Sequence, residues 1–443
     1  MLGISNLEAA RAQMALSLGF HIVFASLGVG LPVMLLYAEY KANRTGDGVW
    51  MALARRWAKA FAILFAVGAV SGTVLSIGLS IFWPEFMGRF GSVIGLPFAL
   101  EAFAFFIEAI FLGIYLYGWD RLSPWSHWLC GWPVAISGFA SAWFVVSANS
   151  WMHTPVGFSL TVDGRVREVD PVRAMLNPAM PVMTTHMVLA AYMATGLTIA
   201  AIYAVGIRRG RRDTYHRRGL VLGLVVGLGL APIQVVVGDL AARLVAEHQP
   251  AKLAAMEAQW ETTAHAPEHI GGIPLPSQEK TVFAIEIPGL LSWLAYGDPD
   301  AVVLGLKDVP EADRPNVVLV HLAFQLMVAI GFGFLALGIW AAASALRHRQ
   351  PPQGKWFLLA AAVAGPAAFV AIESGWIVTE VGRQPWIVQD VMRTAEAVTT
   401  RGGIVWQLLG TFAVYALLTV ACVWLLRRLA RSPRGPVEPE PRA

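Results

Sequence analysis

Charged side chains are scarce in this sequence, because Asp, Glu, Lys and Arg make up only 14% of its 443 residues. A soluble globular domain carries about 25% charged residues, so the scarcity excludes an ordinary water-soluble fold. Hydrophobic residues instead make up 56% of the chain, and 17 of them are Trp. This composition is typical of a polytopic membrane protein.

Cysteine is nearly absent as well. Cys130 and Cys422 both lie in apolar runs, and neither belongs to a CxxC or CxxCH motif. Disulfide frameworks, zinc ribbons and covalently attached c-type haem are therefore excluded as organising features. The net charge of +4 does not indicate a nucleic-acid partner, because the basic residues cluster beside apolar segments. No basic residue precedes Arg11, and the apolar run that follows is too long for a cleaved signal, so the first span is expected to be retained.

Long apolar runs dominate what is present. Nine of them can cross a hydrocarbon core of roughly 30 Å, which needs about 20 helical residues. Connections on one side hold 19 Lys and Arg residues, against 8 in the short connections on the other. Because cytoplasmic connections are the basic ones, the N-terminus is predicted outside and the C-terminus in the cytoplasm. The predicted fold is all-α and polytopic, with transmembrane helices at about 14–40, 58–82, 95–118, 127–150, 184–207, 219–238, 317–345, 356–380 and 403–426.

The chain divides into four predicted regions. Residues 1–238 hold helices 1–6, and residues 317–430 hold helices 7–9. Residues 239–316 form one long connection, which is extracytoplasmic in this topology and contains a predicted helix from Lys252 to Trp260. Long ordered loops usually carry function. Residues 431–443 form a Pro-rich cytoplasmic tail that is predicted to be disordered.

The predicted topology places several potential cofactor ligands at a similar depth. Odd-numbered spans begin outside and even-numbered spans end outside. A His paired with a Met is a known low-spin haem ligation. Taken alone, a His in such a helix could instead form an interhelical hydrogen bond, a Met could be a packing residue and a Glu could lie at the interface. Their common depth favours a cofactor set in the outer half of the membrane, consisting of His21, His186, Met327 and Glu380.

Two acids lie inside the third span. Glu101 and Glu108 are seven residues apart, hence on one face of a helix and roughly 10 Å apart along its axis. Both could simply bond to hydroxyl groups of neighbouring helices. Acid chains within membranes more often mark proton paths, so we interpret them as a relay from the cytoplasmic side.

Five motifs, in order, resemble subunit I of cytochrome bd-type quinol oxidases. The loop of about 78 residues is short for that family and is similar to its short-loop branch, which includes cyanide-insensitive oxidases. The motifs are RAQMALSLGFHIVF (11–24), LEAFAFFIEAIFLGIYLYGWDRLS (100–123), SAWFVVSANSWMHTPVGF (141–158), KLAAMEAQWET (252–262) and GWIVTEVGRQPW (375–386).

The resemblance implies a role for each matching residue. His186 and Met327 would ligate a low-spin haem b. His21 and Glu380 would ligate a high-spin haem b and an oxygen-binding haem that is either haem d or a further haem b. The resemblance further implies Glu101 and Glu108 for high-spin haem binding and proton delivery, and Lys252 and Glu257 for quinol. Trp376 is expected beside the cofactors. Because haem propionates need cations, Arg383 and Arg393 are candidates to bind them, with interfacial anchoring as the alternative for both.

The implied activity is oxidation of quinol at the outer face and reduction of O2 to water with cytoplasmic protons, generating proton motive force without pumping. The resemblance also implies partners, namely a second polytopic subunit and, as an option, a single-helix small subunit, together with membrane lipid. The expected location is the bacterial cytoplasmic (inner) membrane. At position 325 this sequence has Gln, whereas some members of the family have Arg.

Two other functions remain as alternatives. One is a haem b cytochrome that passes quinol electrons onward without reacting with oxygen. The other is a solute transporter, which predicts no haem and usually shows an internal repeat that is not evident here.

Overall fold

The computed structural model describes residues 4–349 and 352–432. Nine helices within these ranges are long and apolar enough to cross a membrane, which confirms the predicted all-α polytopic fold. A bilayer offers no water to backbone amides, so each crossing satisfies its own hydrogen bonds as a helix. Residues 433–443, most of the predicted tail, lie outside the described residues.

The helices alternate with short connections except between the sixth and seventh crossings. α7 and α8 together form the sixth crossing. The helices are α1 (Asn6–Thr45), α2 (Gly48–Phe82), α3 (Pro84–Gly118), α4 (Pro124–His153), α5 (Pro171–Met175), α6 (Met180–Arg208), α7 (Thr214–Gly229), α8 (Ala231–His248), α9 (Pro250–Met256), α10 (Leu290–Tyr296), α11 (Val317–His348), α12 (Lys355–Val381), α13 (Thr394–Ala397) and α14 (Ile404–Arg431).

Short strands lie in the connections and pair in antiparallel twos. The pairs among the described residues are β1 (Ser159–Leu160) with β2 (Val166–Arg167), β3 (Thr263–Ala264) with β6 (Val302–Val303), β4 (Glu268–Leu275) with β5 (Lys280–Ile287), and β7 (Trp386–Val388) with β8 (Met392–Arg393).

The crossings extend beyond the apolar runs, as α1 illustrates. Ser5 Oγ accepts a hydrogen bond from the Glu8 amide, and the Glu8 carboxylate accepts one from the Ser5 amide. This capping box starts the helix eight residues before the predicted run at 14, and Gly46 ends it in the left-handed conformation. Polar caps satisfy helix ends that hydropathy does not detect.

The long connection differs from its predicted form in two ways. α8 continues to His248, beyond the predicted boundary at residue 238. The predicted helix from Lys252 to Trp260 ends at Met256, because Ala258 has a φ of 49°. His321 of α11 contacts the carbonyl oxygens of Met256 at 2.8 Å and Gly271 at 3.0 Å, so the connection is fixed to a transmembrane helix.

Several helix ends that the predicted topology places on the same side of the membrane do pack together. A buried apolar cluster joins the start of α1 (Ala9), the end of α2 (Phe82), the start of α3 (Phe86), the end of α4 (Trp151) and the start of α14 (Ile404). The first, third and ninth crossings therefore begin, and the second and fourth end, on this same side.

α6 is the central helix, and it packs against α1, α4, α7, α8 and α12. A Cβ on Gly196 would lie 2.5 Å from the Gly227 amide nitrogen, so α6 and α7 approach at a distance that only glycine permits. Small residues allow such close packing between membrane helices. α11 also packs on α8 and α12, and α6 and α11 therefore flank a common pair of helices.

Candidate functional site

His21 is held by a hydroxyl that fixes which ring nitrogen is free. Its Nδ1 lies 2.9 Å from Ser71 Oγ, and that hydroxyl donates its hydrogen to the Gly68 carbonyl oxygen at 3.0 Å. Ser71 can then only accept from Nδ1–H, which leaves the Nε2 lone pair available for a metal. A Cβ on Gly72 would lie 3.0 Å from His21 Cε1, so glycine keeps space open beside the imidazole ring.

His186 and Met327 also face glycines on neighbouring helices. The Gln234 amide nitrogen lies 3.2–3.3 Å from both ring nitrogens of His186. A Cβ on Gly375 would lie 3.0 Å from Met327 Sδ, so the thioether packs against α12 at a point where only glycine admits it. The imidazole and thioether donors of these two residues fit haem iron.

Glu380 is surrounded by hydrogen-bond donors. Its carboxylate accepts from Asn149 Nδ2 at 2.8 Å and from Arg383 at 2.5 Å. Arg383 is 3% exposed, and its other nitrogen lies 3.3 Å from His153 Nε2. Burial lowers the pKa of Arg383, and the nearby Glu380 carboxylate opposes that shift. The carboxylate is therefore held in a defined position.

Lys252 joins the same cluster from α9. Its Nζ donates to the Thr379 carbonyl oxygen at 3.2 Å, and its side chain packs against Gly382. Burial, followed by repulsion from Arg383, lowers the pKa of Lys252 to about 7, although Glu380 acts in the opposite direction. The cluster thus holds two buried basic side chains and one carboxylate, and an anion that binds there would favour the charged form of Lys252.

A cavity of about 280 Å³ adjoins this cluster. Its lining includes Lys252, Arg383 and Trp386, together with Asp308 and Asp313 of the long connection. The cavity therefore borders both the buried basic side chains and acidic side chains of the connection.

Arg393 and Trp376 differ in their surroundings. Arg393 forms an ion pair with Asp313, and its guanidinium lies 4.7 Å from the centre of the Trp386 ring. Its charge is therefore already balanced by a protein carboxylate. Trp376 is partly buried and packs against the largest apolar cluster.

Glu101 and Glu108 lie on α3 facing α4. Ser141 Oγ donates to Glu101 at 3.1 Å, which matches the hydroxyl partner considered from the sequence. Glu108 is buried, and its carboxylate lies 3.4 Å from the position of a Cβ on Gly138. The acids therefore share one interhelical seam.

Lys252 and Glu257, the two residues expected to act at the quinol site, contact different parts of the protein. Lys252 contacts the Glu380 cluster, whereas Glu257 is close enough to Glu268 for a carboxyl–carboxyl hydrogen bond. Sequence reasoning missed Glu268, because the packing of strand β4 against the end of α9 is not indicated by any residue spacing.

Glu373 is a second acid that sequence reasoning missed. It is half-buried on α12, with a carboxylate oxygen 3.2 Å from the position of a Cβ on Gly19 of α1. Its spacing from Glu380 is seven residues, the same spacing as Glu101 to Glu108, and this signal was available in the sequence.

Gln325 ties the β4–β5 hairpin to α11. Its amide nitrogen donates to the His269 carbonyl oxygen at 2.8 Å, and its amide oxygen accepts from the Gly271 amide at 2.9 Å. We expect Gln325→Ala to lower the free energy of local opening of the hairpin by about 1–3 kcal/mol, because it leaves two partly buried backbone groups without partners. Amide hydrogen exchange of residues 268–287 measures this change. Leu326→Ala, which alters an exposed apolar neighbour, is the control; equal exchange in the two variants would contradict the expectation.

Comparisons with known proteins agree with this architecture. Residues 9–434 match the family model described as cytochrome bd terminal oxidase subunit I. The chain is 37% identical to a putative cytochrome bd menaquinol oxidase subunit I of Bacillus subtilis and 30% identical to the cytochrome bd-II ubiquinol oxidase subunit 1 of Escherichia coli, with 96% of each chain covered. A chain in the structure of bd oxidase from Geobacillus thermodenitrificans is 41% identical with a TM-score of 0.91, covering 98% of this chain and all of that one.

Proposed function

Because the chain belongs to the cytochrome bd terminal oxidase subunit I family, we propose that it oxidises quinol at the outer membrane face and supports reduction of O2 to water with cytoplasmic protons. The family makes it the haem subunit of a quinol oxidase, a multi-pass protein of the bacterial inner membrane that assembles with a subunit II. A single-helix subunit is a further proposed partner. The full-length family match carries the proposal.

The proposed haem ligands follow from the donors and the spaces beside them. His186 and Met327 are assigned to a low-spin haem b, and His21 and Glu380 to a high-spin haem b and a haem d or further haem b. The haems supply one-electron transfer and oxygen binding when bound. The protein orients His21 through Ser71 and holds Glu380 through Asn149 and Arg383.

Arg383 and Lys252 are the proposed partners of haem propionates. Both are buried, and both line the 280 Å³ cavity. A further anion would offset the energy of burying the second cation. Arg393 is a weaker candidate than the sequence suggested, because Asp313 already pairs with it.

Quinol oxidation is assigned to the extracytoplasmic connection that sequence analysis placed at 239–316. Quinol is lipophilic and releases two electrons and two protons, so its site needs a bilayer-facing approach and a proton acceptor. Glu257 supplies a carboxylate, and Lys252 links the same short helix to the proposed haem cluster. Protons released at this face contribute to proton motive force without a pump.

Delivery of the protons for oxygen reduction is assigned to Glu108 and Glu101. We expect Glu108→Gln to assemble with haem and to be reduced by quinol, yet to react with oxygen at least about tenfold more slowly, because an amide cannot release a proton as a carboxyl group does. Stopped-flow oxidation of the reduced enzyme measures this rate. Glu85→Gln on the exposed start of the same helix is the control. Wild-type oxidation rates in Glu108→Gln would make Glu108 a structural hydrogen-bonding residue.

A reduced-minus-oxidised visible spectrum, combined with quinol-dependent oxygen uptake by the purified complex, tests the proposed function. Haem signals with oxygen uptake support the oxidase. Haem b signals with quinol oxidation but no oxygen uptake would favour the alternative electron carrier. Absence of quinol oxidation in a haem-loaded complex would overturn both.

A further inference from the structure

Two carboxyl groups meet inside the long connection. Glu257 ends the short helix α9 and is 3% exposed, and Glu268 begins strand β4. Their side chains are within hydrogen-bonding distance of each other. Each also has one buried oxygen, Oε2, for which no donor is found among the described residues.

The arrangement requires a proton. Two ionised carboxylates are both acceptors, so they cannot bond to each other, whereas one added proton creates a donor and satisfies the pair. Burial, reinforced by the repulsion between the two groups, raises the pKa of Glu257, and burial raises the pKa of Glu268 to about 7. Near neutral pH the pair therefore holds one shared proton and retains one basic site.

The surroundings fix the pair without neutralising it. His269 of β4 contacts the Glu257 carbonyl oxygen at 2.8 Å through Nδ1, and its Nε2 lies 3.7 Å from the Glu286 carboxylate of β5. From α11, His321 uses both ring nitrogens on backbone carbonyl oxygens. The two histidines position the backbone around the two acids.

The hairpin gives this pair an apolar border. Ile270 and Ile285 are direct cross-strand partners, and both are exposed. Phe283 on the same hairpin is 88% exposed. Alternate residues of a strand share a face, so Glu268 lies on the same side of β4 as Ile270. A lipophilic headgroup that approaches along this face would reach the carboxyl pair.

We propose that Glu268 acts with Glu257 as a shared proton acceptor for quinol, and that Glu268 positions and tunes Glu257 as the base. This inference rests on the proposed quinol oxidase function. A quinol O–H bond breaks, its proton forms a new O–H bond on the ionised member of the pair, and the electron leaves to the oxidase's haem chain. A second such step completes the quinone, and the more exposed Glu268 returns each proton to the outer aqueous phase.

Glu268→Gln tests this arrangement in the complete oxidase complex. The amide donates permanently to Glu257 and removes the like charge, so Glu257 becomes a weaker base. We expect quinol turnover at neutral pH to fall at least about tenfold, with the acid limb of the kcat/KM profile moved to lower pH. Haem content and oxygen uptake with an artificial one-electron donor should stay at wild-type values. Glu268→Asp should recover part of the quinol turnover.

Glu286→Gln is the matched control, because Glu286 lies on the same hairpin with a side chain that is 60% exposed. If Glu268→Gln matches Glu286→Gln in kcat, KM and pH profile while Glu257→Gln loses quinol oxidation, the proposed role of Glu268 is wrong and the oxidase function stands. If the wild-type complex does not oxidise quinol, the proposed function itself fails. Should Glu268→Gln lose haem, infrared spectra of the wild type and Glu268→Asp decide: a protonated carboxyl band that is unaffected by Glu268→Asp overturns the proposal.

Discussion

Glu380→Ala is expected to abolish oxygen reduction and to remove one high-spin haem signal. The substitution deletes the proposed ligand and also the carboxylate that accepts from Arg383 at 2.5 Å. Breaking a buried ion pair by removing one partner costs about 3–5 kcal/mol, so the variant should also unfold more readily. Visible spectra, oxygen uptake and thermal unfolding of the purified complex measure the three effects.

Arg383→Gln separates the two roles of Glu380. It breaks the same ion pair but keeps the carboxylate and its bond to Asn149. A ligand role predicts that the high-spin signal persists in Arg383→Gln and disappears in Glu380→Ala. Full oxygen uptake by Glu380→Ala would show that Glu380 is only a counterion. Loss of the signal in Arg383→Gln as well would instead show that the Arg383 guanidinium, the proposed propionate partner, is needed to retain the haem.

His186→Ala is expected to remove the low-spin haem signal and to lower quinol-dependent turnover by at least about a hundredfold. The assignment rests on the His and Met donors of α6 and α11, which both pack against α8 and α12. An alanine has no lone pair to replace the imidazole nitrogen. Met327→Ala should have the same spectral effect, because it removes the proposed opposite ligand.

Met187→Leu is the control for this pair. Met187 follows His186 on the same helix and packs against the main apolar cluster, so its replacement tests local packing alone. The reduced-minus-oxidised spectrum of the membrane-inserted protein is the measurement. An unchanged low-spin band in both His186→Ala and Met327→Ala would eliminate the assignment.

The number and order of the crossings could be predicted from composition, because a lipid-exposed backbone has to form helices and helices need long apolar runs. The exact residues at which the helices begin and end could not be predicted in this way. The start of α1 depends on the Ser5–Glu8 capping box, and the end of α8 lies within a sequence of mixed polarity up to His248.

The candidate site was also predictable only in part. Residue types and helix positions were sufficient to nominate His21, His186, Met327 and Glu380. The hydrogen bond from His21 to Ser71, which orients the ring, required the packing of α1 on α2.

The sequence by itself determined the membrane class, the nine crossings and the donors available to a cofactor, since these depend on local hydrophobicity and side-chain chemistry. Only the tertiary structure decided that Lys252 faces Arg383 while Glu257 faces Glu268, and that Arg393 pairs with Asp313. These contacts join segments that are distant along the chain or lie in irregular connections. Their geometry is set by how helices and loops pack together, and no residue spacing encodes it.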